Sequence, residues 1–106
     1  MVIAIANKEE FENQLATAGS KLVVLDFFAD WCWPCREIAP KYEKIAGENS
    51  EQAVFLKVDV TVDQTLAYKY KVTGLPTFIF FKHGENIKSF SGADEDQLRS
   101  NIETLK

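Results

Sequence analysis

Residues 22–35, LVVLDFFADWCWPC, decide the fold of this chain. Residues 22–28 are apolar at both alternating positions except for one aspartate, and a strand with two apolar faces is typical of the interior of a parallel or mixed sheet. Cys32 and Cys35 follow at once, and Pro34 suits the first turn of a helix, where its missing N–H has no consequence. The stretch predicts a buried strand that leads through a short loop into a helix.

The rest of the chain alternates between strands and helices. Four further apolar runs have the length of strands: 2–6, 53–60, 77–82 and 87–91. Four segments are predicted to be helices: the one capped by Asn7, 34–47 with Pro40 as an expected kink, 63–70 and the one that starts at Asp94. This order predicts an α/β fold, a central mixed five-stranded sheet flanked by four helices on both faces, with a hairpin turn at 82–85. We expect one domain over residues 1–106.

Composition narrows the classes of partner. The formal net charge is −4, which argues against nucleic acid or an anionic membrane, because both require a basic surface. No stretch is long enough to span a bilayer, and the run at 2–6 is short for the core of a signal peptide. We therefore expect a monomer of the cytoplasm, or also of the nucleus.

The cysteine pair carries the chemistry. Cys32 and Cys35 are the only two cysteines, and their spacing allows a reversible disulfide within one helical turn. Free N–H groups and the dipole at a helix N-terminus stabilise a thiolate. We expect Cys32 to attack a disulfide in another molecule, and Cys35, one turn further in and more buried, to resolve the mixed disulfide.

A zinc half-site is the alternative for this pair. A closed zinc site needs four ligands, and the chain offers no other cysteine and one histidine, His83, in a predicted solvated turn. A metal would need a second chain or outside ligands. Redox chemistry is the stronger interpretation, and we predict no metal site.

Asp26 interrupts the most apolar strand, and burial raises the pKa of an unpaired carboxyl group. It is interpreted either as a proton relay for Cys35, whose thiol must lose its proton before it attacks, or as a buried carboxylate held by Lys57. The two interpretations are compatible, and the residues alone do not separate them.

Trp31 and Pro76 have plain structural interpretations. Trp31 is expected mainly to pack, as large aromatic residues usually do. The bond before Pro76 is expected to be trans on frequency alone, because cis forms are uncommon even before proline.

Together these segments resemble the thioredoxin family, of the small animal cytosolic kind, over essentially the whole chain. The matching motifs are VVLDFFA at 23–29, WCxPC at 31–35, Pro40, FLKVDV at 55–60, GLPTF at 74–78, the Gly84 turn and FSGA at 90–93. The resemblance implies the thioredoxin fold and a thiol–disulfide oxidoreductase that reduces protein disulfides. It implies no bound cofactor. It also implies that an NADPH-dependent flavoenzyme, thioredoxin reductase, reduces the Cys32–Cys35 disulfide.

The resemblance also implies roles for particular residues. The bond before Pro76 would be cis and face the dithiol, which overturns the expectation from frequency. The implied surface around Cys32 is shallow and apolar, and its members are Trp31, Pro34, Leu75, Pro76 and Gly92. Asp26 would be the buried acid that assists Cys35, with Lys57 nearby. The implied substrates are disulfides of proteins such as peroxiredoxins, methionine sulfoxide reductases or ribonucleotide reductase.

Trp33 departs from the family's usual Cys-Gly-Pro-Cys motif. Its indole adds apolar area beside Cys32 that can anchor a partner, can obstruct a reductase adapted to a flat surface, and restricts the backbone where glycine is permissive. Two alternatives remain equal: the indole points outward and is merely tolerated, or it selects among partners. We count Trp33 among the substrate-binding residues, with an altered ranking of partners as the hypothesis.

Two rival functions stay open at this point. One is a glutathione-linked or oxidising thiol exchanger, since Trp-Pro is not the dipeptide of the usual reductant. The other is a non-catalytic protein-binding module that uses the same surface.

Overall fold

The computed structural model describes all 106 residues and contains five strands and four helices. The strands are β1 Val2–Ala4, β2 Leu22–Phe28, β3 Ala53–Asp59, β4 Thr77–Lys82 and β5 Glu85–Ser91. The helices are α1 Lys8–Ala18, α2 Trp33–Glu48, α3 Thr65–Lys69 and α4 Glu95–Leu105. The predicted order of elements is confirmed. No helix combines the length and apolar content of a membrane span.

Three strand boundaries differ from the prediction, and the smallest difference is at β3, which ends at Asp59 rather than at residue 60. β1 ends at Ala4 rather than at residue 6. β5 begins at Glu85 rather than at residue 87, because the hairpin turn has only two central residues, His83 and Gly84, with φ of 53° and 79°. Positive φ at both positions is the geometry of a tight hairpin, so pairing starts directly after it.

The strands form one mixed sheet in the order β1-β3-β2-β4-β5. β1 and β2 run parallel to β3, whereas β4 runs antiparallel to β2 and to β5. β2 is therefore the central strand, as its two apolar faces predicted. Its carboxyl end leads into the loop before α2.

The alternation of side chains along β2 divides the core in two. Leu22 and Val24 lie in a cluster covered by α2 and α4, whereas Val23, Leu25 and Phe27 lie in a cluster covered by α1 and α3. All five side chains are essentially excluded from solvent. The sheet thus has two helices on each face, and each face buries its own apolar layer.

Tyr42 fastens α2 to the sheet. Its hydroxyl group contacts two backbone carbonyl oxygens, Leu56 O at 2.9 Å on β3 and Val24 O at 3.2 Å on β2. Its ring packs against those of Phe55 and Phe78, with centroids 5.7 and 5.4 Å away. The same helix continues through the exposed Pro40.

Replacing Tyr42 with phenylalanine should lower the free energy of unfolding by about 1 kcal/mol, because one buried hydroxyl hydrogen bond is lost while the ring is kept. Urea unfolding followed by circular dichroism measures this loss. Tyr68→Phe is the matched control, since Tyr68 is 76% exposed and its loss should stay within about 0.5 kcal/mol. Equal stability of the two variants would contradict the bridging role of the Tyr42 hydroxyl.

Candidate active site

The two cysteines lie where the loop after β2 leads into α2. Cys32 is the N-cap residue of α2, and its sulfur forms a disulfide bond with Cys35, with the Cα atoms 5.3 Å apart. Cys32 Sγ also accepts a hydrogen bond from the Cys35 N–H at 3.2 Å. The Cys32 sulfur therefore lies against an N–H group of the first helical turn that has no carbonyl partner within the helix, where a negative charge is stabilised.

Different surroundings distinguish the two sulfurs. Cys35 is more buried than Cys32 by a negligible margin, 4% against 5% exposed, so burial alone does not separate their roles. Cys32 lines an open apolar groove of about 470 Å³, whereas Cys35 lines a cavity of about 50 Å³ on the side of Asp26. Cys32 therefore lies on a surface that another molecule can reach, whereas Cys35 lies between the Asp26 cavity and a second cleft of about 210 Å³.

Two tryptophans dominate the groove. Trp31 and Trp33 are 71% and 64% exposed, and both line it together with Pro34 and Leu75. The expectation that Trp31 mainly packs is wrong, because it lies in the loop before α2 and its indole remains uncovered. The exposed indoles make an apolar rim around Cys32.

Pro76 and Gly92, predicted for this surface, do not line the groove. Pro76 is buried, the Leu75–Pro76 peptide is cis as the resemblance implies, and the Pro76 carbonyl accepts a hydrogen bond from the Gly92 N–H at 2.8 Å. Gly92 has a φ of 109°, which side chains rarely allow. This hydrogen bond joins the residue after β5 to the residue that follows Leu75.

Sequence reasoning missed half of the groove lining: Val60, Ala67, Val72, Thr73 and Gly74. Val60 could have been found, because it directly follows β3, and β3 runs parallel to β2, so that both carboxyl ends meet at one edge. The Val60 N–H indeed donates to Phe28 O at 2.9 Å. The others depend on how the short helix α3 packs, which has no signal in the periodicity.

Asp26 lies on β2 in register with Lys57 on β3 and is 4% exposed. Burial raises its pKa from 3.8 to about 7, against the opposing charge of Lys57. The predicted direct pairing is absent: Asp26 Oδ1 has no hydrogen-bond partner, and Lys57 Nζ lies 5.7 Å from the centroid of the Phe28 ring. Lys57 acts on Asp26 through its charge alone.

The cavity beside Asp26 connects it to Cys35. It is also lined by Tyr42 and Lys57, and its volume of about 50 Å³ exceeds the ~10–15 Å³ that one water needs. Asp26 Oδ1 offers a free acceptor there. One water in this cavity can carry a proton between the carboxyl group and the inner sulfur.

The residues do not assemble a metal site within one chain. No group of three or more His, Cys, Asp and Glu side chains lies close enough to hold an ion. His83 lies in the β4–β5 turn, next to the amino end of β2, whereas Cys32 follows the carboxyl end of β2.

The buried acid makes stability depend on pH. Because the folded-state pKa of Asp26 lies above its ordinary value of 3.8, the folded state binds the proton more tightly, and stability falls as the pH rises from about 4 to about 7. At pH 8, Asp26→Asn should therefore stabilise the protein by about 4 kcal/mol, at about 1.36 kcal/mol for each pKa unit. The gain should vanish near pH 4.

Denaturant unfolding at a series of pH values measures this gain. Asp30→Asn removes an exposed carboxylate from the same end of the sheet and should change stability by less than about 0.5 kcal/mol throughout. A constant effect of Asp26→Asn between pH 4 and pH 8 would show that the carboxyl group is not held neutral by burial.

Comparison with known proteins gives a consistent result. The family model described as Thioredoxin matches residues 2–104. Thioredoxin of Equus caballus is 43% identical over 105 residues, 99% of each chain. Thioredoxin-T of Drosophila melanogaster is 43% identical over 103 residues, which make up 97% of this chain and 66% of that protein.

Solved structures agree with the sequence comparisons. The X-ray structure of Fasciola hepatica thioredoxin is similar with a TM-score of 0.95 and 43% identity, over 98% of this chain and 99% of that one. The predicted fold class, a mixed five-stranded sheet with four helices, is thereby confirmed. With its Cys32–Cys35 disulfide at the start of α2, the chain belongs to the thioredoxin family of thiol–disulfide oxidoreductases.

Proposed function

We propose that this thiol–disulfide oxidoreductase reduces protein disulfides with fixed roles for its two cysteines, Cys32 attacking and Cys35 resolving. One observation carries the assignment: Cys32 lines the large apolar groove and Cys35 does not, whereas Cys35 lines the small cavity beside Asp26 and a cleft beside Arg36. Cys32 is therefore the cysteine that lies on the large apolar groove, where a protein substrate can place its disulfide.

In the first step the Cys32 thiolate attacks one sulfur of the substrate disulfide. The substrate S–S bond breaks, a mixed disulfide with Cys32 forms, and the released substrate sulfur takes up a proton. The hydrogen bond from the Cys35 N–H supports the negative charge on Cys32 Sγ before the attack.

In the second step Cys35 attacks Cys32. The Cys35 thiol gives its proton to the Asp26 carboxylate, directly or through a water in the cavity that both residues line. The Cys32–Cys35 disulfide forms, the mixed disulfide breaks, and the second substrate sulfur leaves and is protonated. Two electrons pass from the dithiol to the substrate.

The cycle requires an external reductant. We assign that role to an NADPH-dependent flavoenzyme, thioredoxin reductase, because the chain holds only the dithiol itself. Disulfides of peroxiredoxins, methionine sulfoxide reductases or ribonucleotide reductase are the proposed substrates. A dithiol that works as a reductant belongs in a reducing compartment, so we propose the cytoplasm, or also the nucleus, as its location.

The groove is the proposed binding surface. Trp31, Trp33, Pro34 and Leu75 surround Cys32, and apolar side chains exposed around a nucleophile favour a partner that buries them. Because this rim projects from the first turn of α2 and the loop before it, we propose that Trp33 contributes to the choice of partner.

Reduced Cys35→Ser protein should accumulate a stable mixed disulfide when it is mixed with an oxidised protein that has one disulfide. The variant completes the first step but has no second thiol to resolve it. Non-reducing electrophoresis and mass spectrometry measure the adduct and its attachment at Cys32.

Cys32→Ser is the matched control and should form no adduct, because Cys35 does not line the groove. Equal adduct yields from the two variants would contradict the assigned roles. A Cys35→Ser adduct with oxidised glutathione but with no protein disulfide would favour a glutathione-linked exchanger.

Asp26→Asn should slow the second step roughly a hundred-fold at pH 7, because general-base help to Cys35 is lost. In the wild type, release of substrate from the mixed disulfide should accelerate as the pH rises through about 7, where Asp26 ionises. In the variant this rise should move to higher pH, where the thiol loses its proton unaided. Rapid acid quench of the mixed disulfide at each pH gives both profiles.

Glu43→Gln is the control, since Glu43 lines the same cavity but is exposed, and its profile should match the wild type. Identical pH profiles for Asp26→Asn and the wild type would eliminate the relay.

A further inference from the structure

Arg36 is an arginine without an acidic partner. The chain has only two arginines, and Arg99 bonds to carboxylates of Glu48 and Glu95, each at 2.9 Å. Arg36 donates one hydrogen bond, at 3.3 Å, to the backbone oxygen of Asp30, and none of the ion pairs involves it. Most of the five N–H donors of its guanidinium group are therefore free.

The position of Arg36 is unfavourable for helix stability. It lies in the first turn of α2, where the helix dipole disfavours a cation. Trp33 offsets this disadvantage, because the guanidinium carbon lies 5.6 Å from the centroid of the Trp33 ring, within the range of a cation–π contact. The residue that departs from the family motif thus holds the unpaired arginine.

Arg36 and Trp33 contact each other beside the groove, and we call them the Arg36–Trp33 pair. Trp33 lines the groove next to Cys32. Arg36 itself lines a separate cleft of about 210 Å³ that also contacts Cys35 and Lys57. The Trp33 indole therefore separates the positive charge of Arg36 from the groove where a substrate disulfide must lie. The charge remains outside the apolar surface.

A positive charge at this place favours substrates that carry a negative charge near their disulfide. The chain has a net charge of −4, and Cys32 attacks as an anion, so a substrate with a carboxylate beside its disulfide is otherwise repelled. Free guanidinium donors bind carboxylates in a planar, paired geometry. Charges at the rim of an interface change selectivity and association rate more than total affinity.

We propose that the Arg36–Trp33 pair selects protein segments that carry an aspartate or glutamate next to the attacked cysteine. The inference rests on the proposed disulfide reductase function and names the chemistry of its preferred substrates. The segment places apolar atoms against the groove and its carboxylate on the free donors of Arg36.

Three looped peptides with one disulfide test this preference. They are identical except for Glu, Gln or Lys beside the cysteine that is attacked, and they are mixed with reduced protein in single-turnover experiments without any reductase. The Glu peptide should react about five-fold faster than the Gln peptide, the upper range for an exposed ion pair, and the Lys peptide should be slowest. The Glu preference should weaken at about 0.5 M salt, where charges are screened.

Each variant is judged by the ratio of its rates with the Glu and the Gln peptide. A general change in the reactivity of Cys32 cancels in this ratio, so the ratio reports the effect of the Arg36–Trp33 pair. Arg36→Gln should bring the ratio to about one, and Trp33→Gly should lower it, because the guanidinium loses its support. Arg99→Gln removes the same charge from α4, remote in sequence from the cysteines, and should keep the wild-type ratio.

A wild-type ratio of one, or an unchanged ratio in Arg36→Gln, overturns the inference. An unchanged ratio in Trp33→Gly overturns the joint action of the two residues. Equal reduction of all three peptides removes the selectivity but leaves the reductase function standing, whereas no reduction of any peptide contradicts the reductase function itself.

Discussion

Burial of β2 on both faces is the constraint on which the rest of the structure depends. Its side chains alternate between two apolar layers, one under α2 and α4 and one under α1 and α3, and both neighbouring strands satisfy its backbone. A strand enclosed in this way can present functional groups only at its ends. The carboxyl end leads directly into the first turn of α2, so the packing that stabilises the sheet also places Cys32 at a helix N-terminus.

Asp26 links this packing to the chemistry. It is the one carboxyl group inside the layer that otherwise excludes water, and the surrounding apolar side chains raise its pKa to about 7. The same burial makes the ionised form unfavourable for stability and makes the group able to exchange a proton near neutral pH. Lys57, without a direct contact, moderates this shift rather than cancelling it. The fold therefore gives up stability at the position where the proposed second step uses a base.

The sequence predicts what depends on local pattern and fails where packing between distant segments decides. Two apolar faces, a Pro-started helix and alternating elements were enough for β2, α2 and the mixed sheet. The cavity that distinguishes Cys35 from Cys32, the reach of Lys57 and the exposure of Trp31 were not predictable, because each depends on side-chain directions across several elements. Ala67 reaches the groove only through the placement of α3, a helix of five residues with no amphipathic pattern.

The rim of the site is free to vary because the fold does not depend on it. Trp33 is 64% exposed and belongs to neither main apolar cluster, so the residue between the cysteines can change without loss of core packing. Asp26 and Cys35, in contrast, are each only 4% exposed. A protein with this division can keep one exchange reaction and alter its partners, since the residues that carry electrons and protons are separate from those that a partner first meets. The cation–π contact between Arg36 and Trp33 places a positive charge beside a surface that is otherwise apolar.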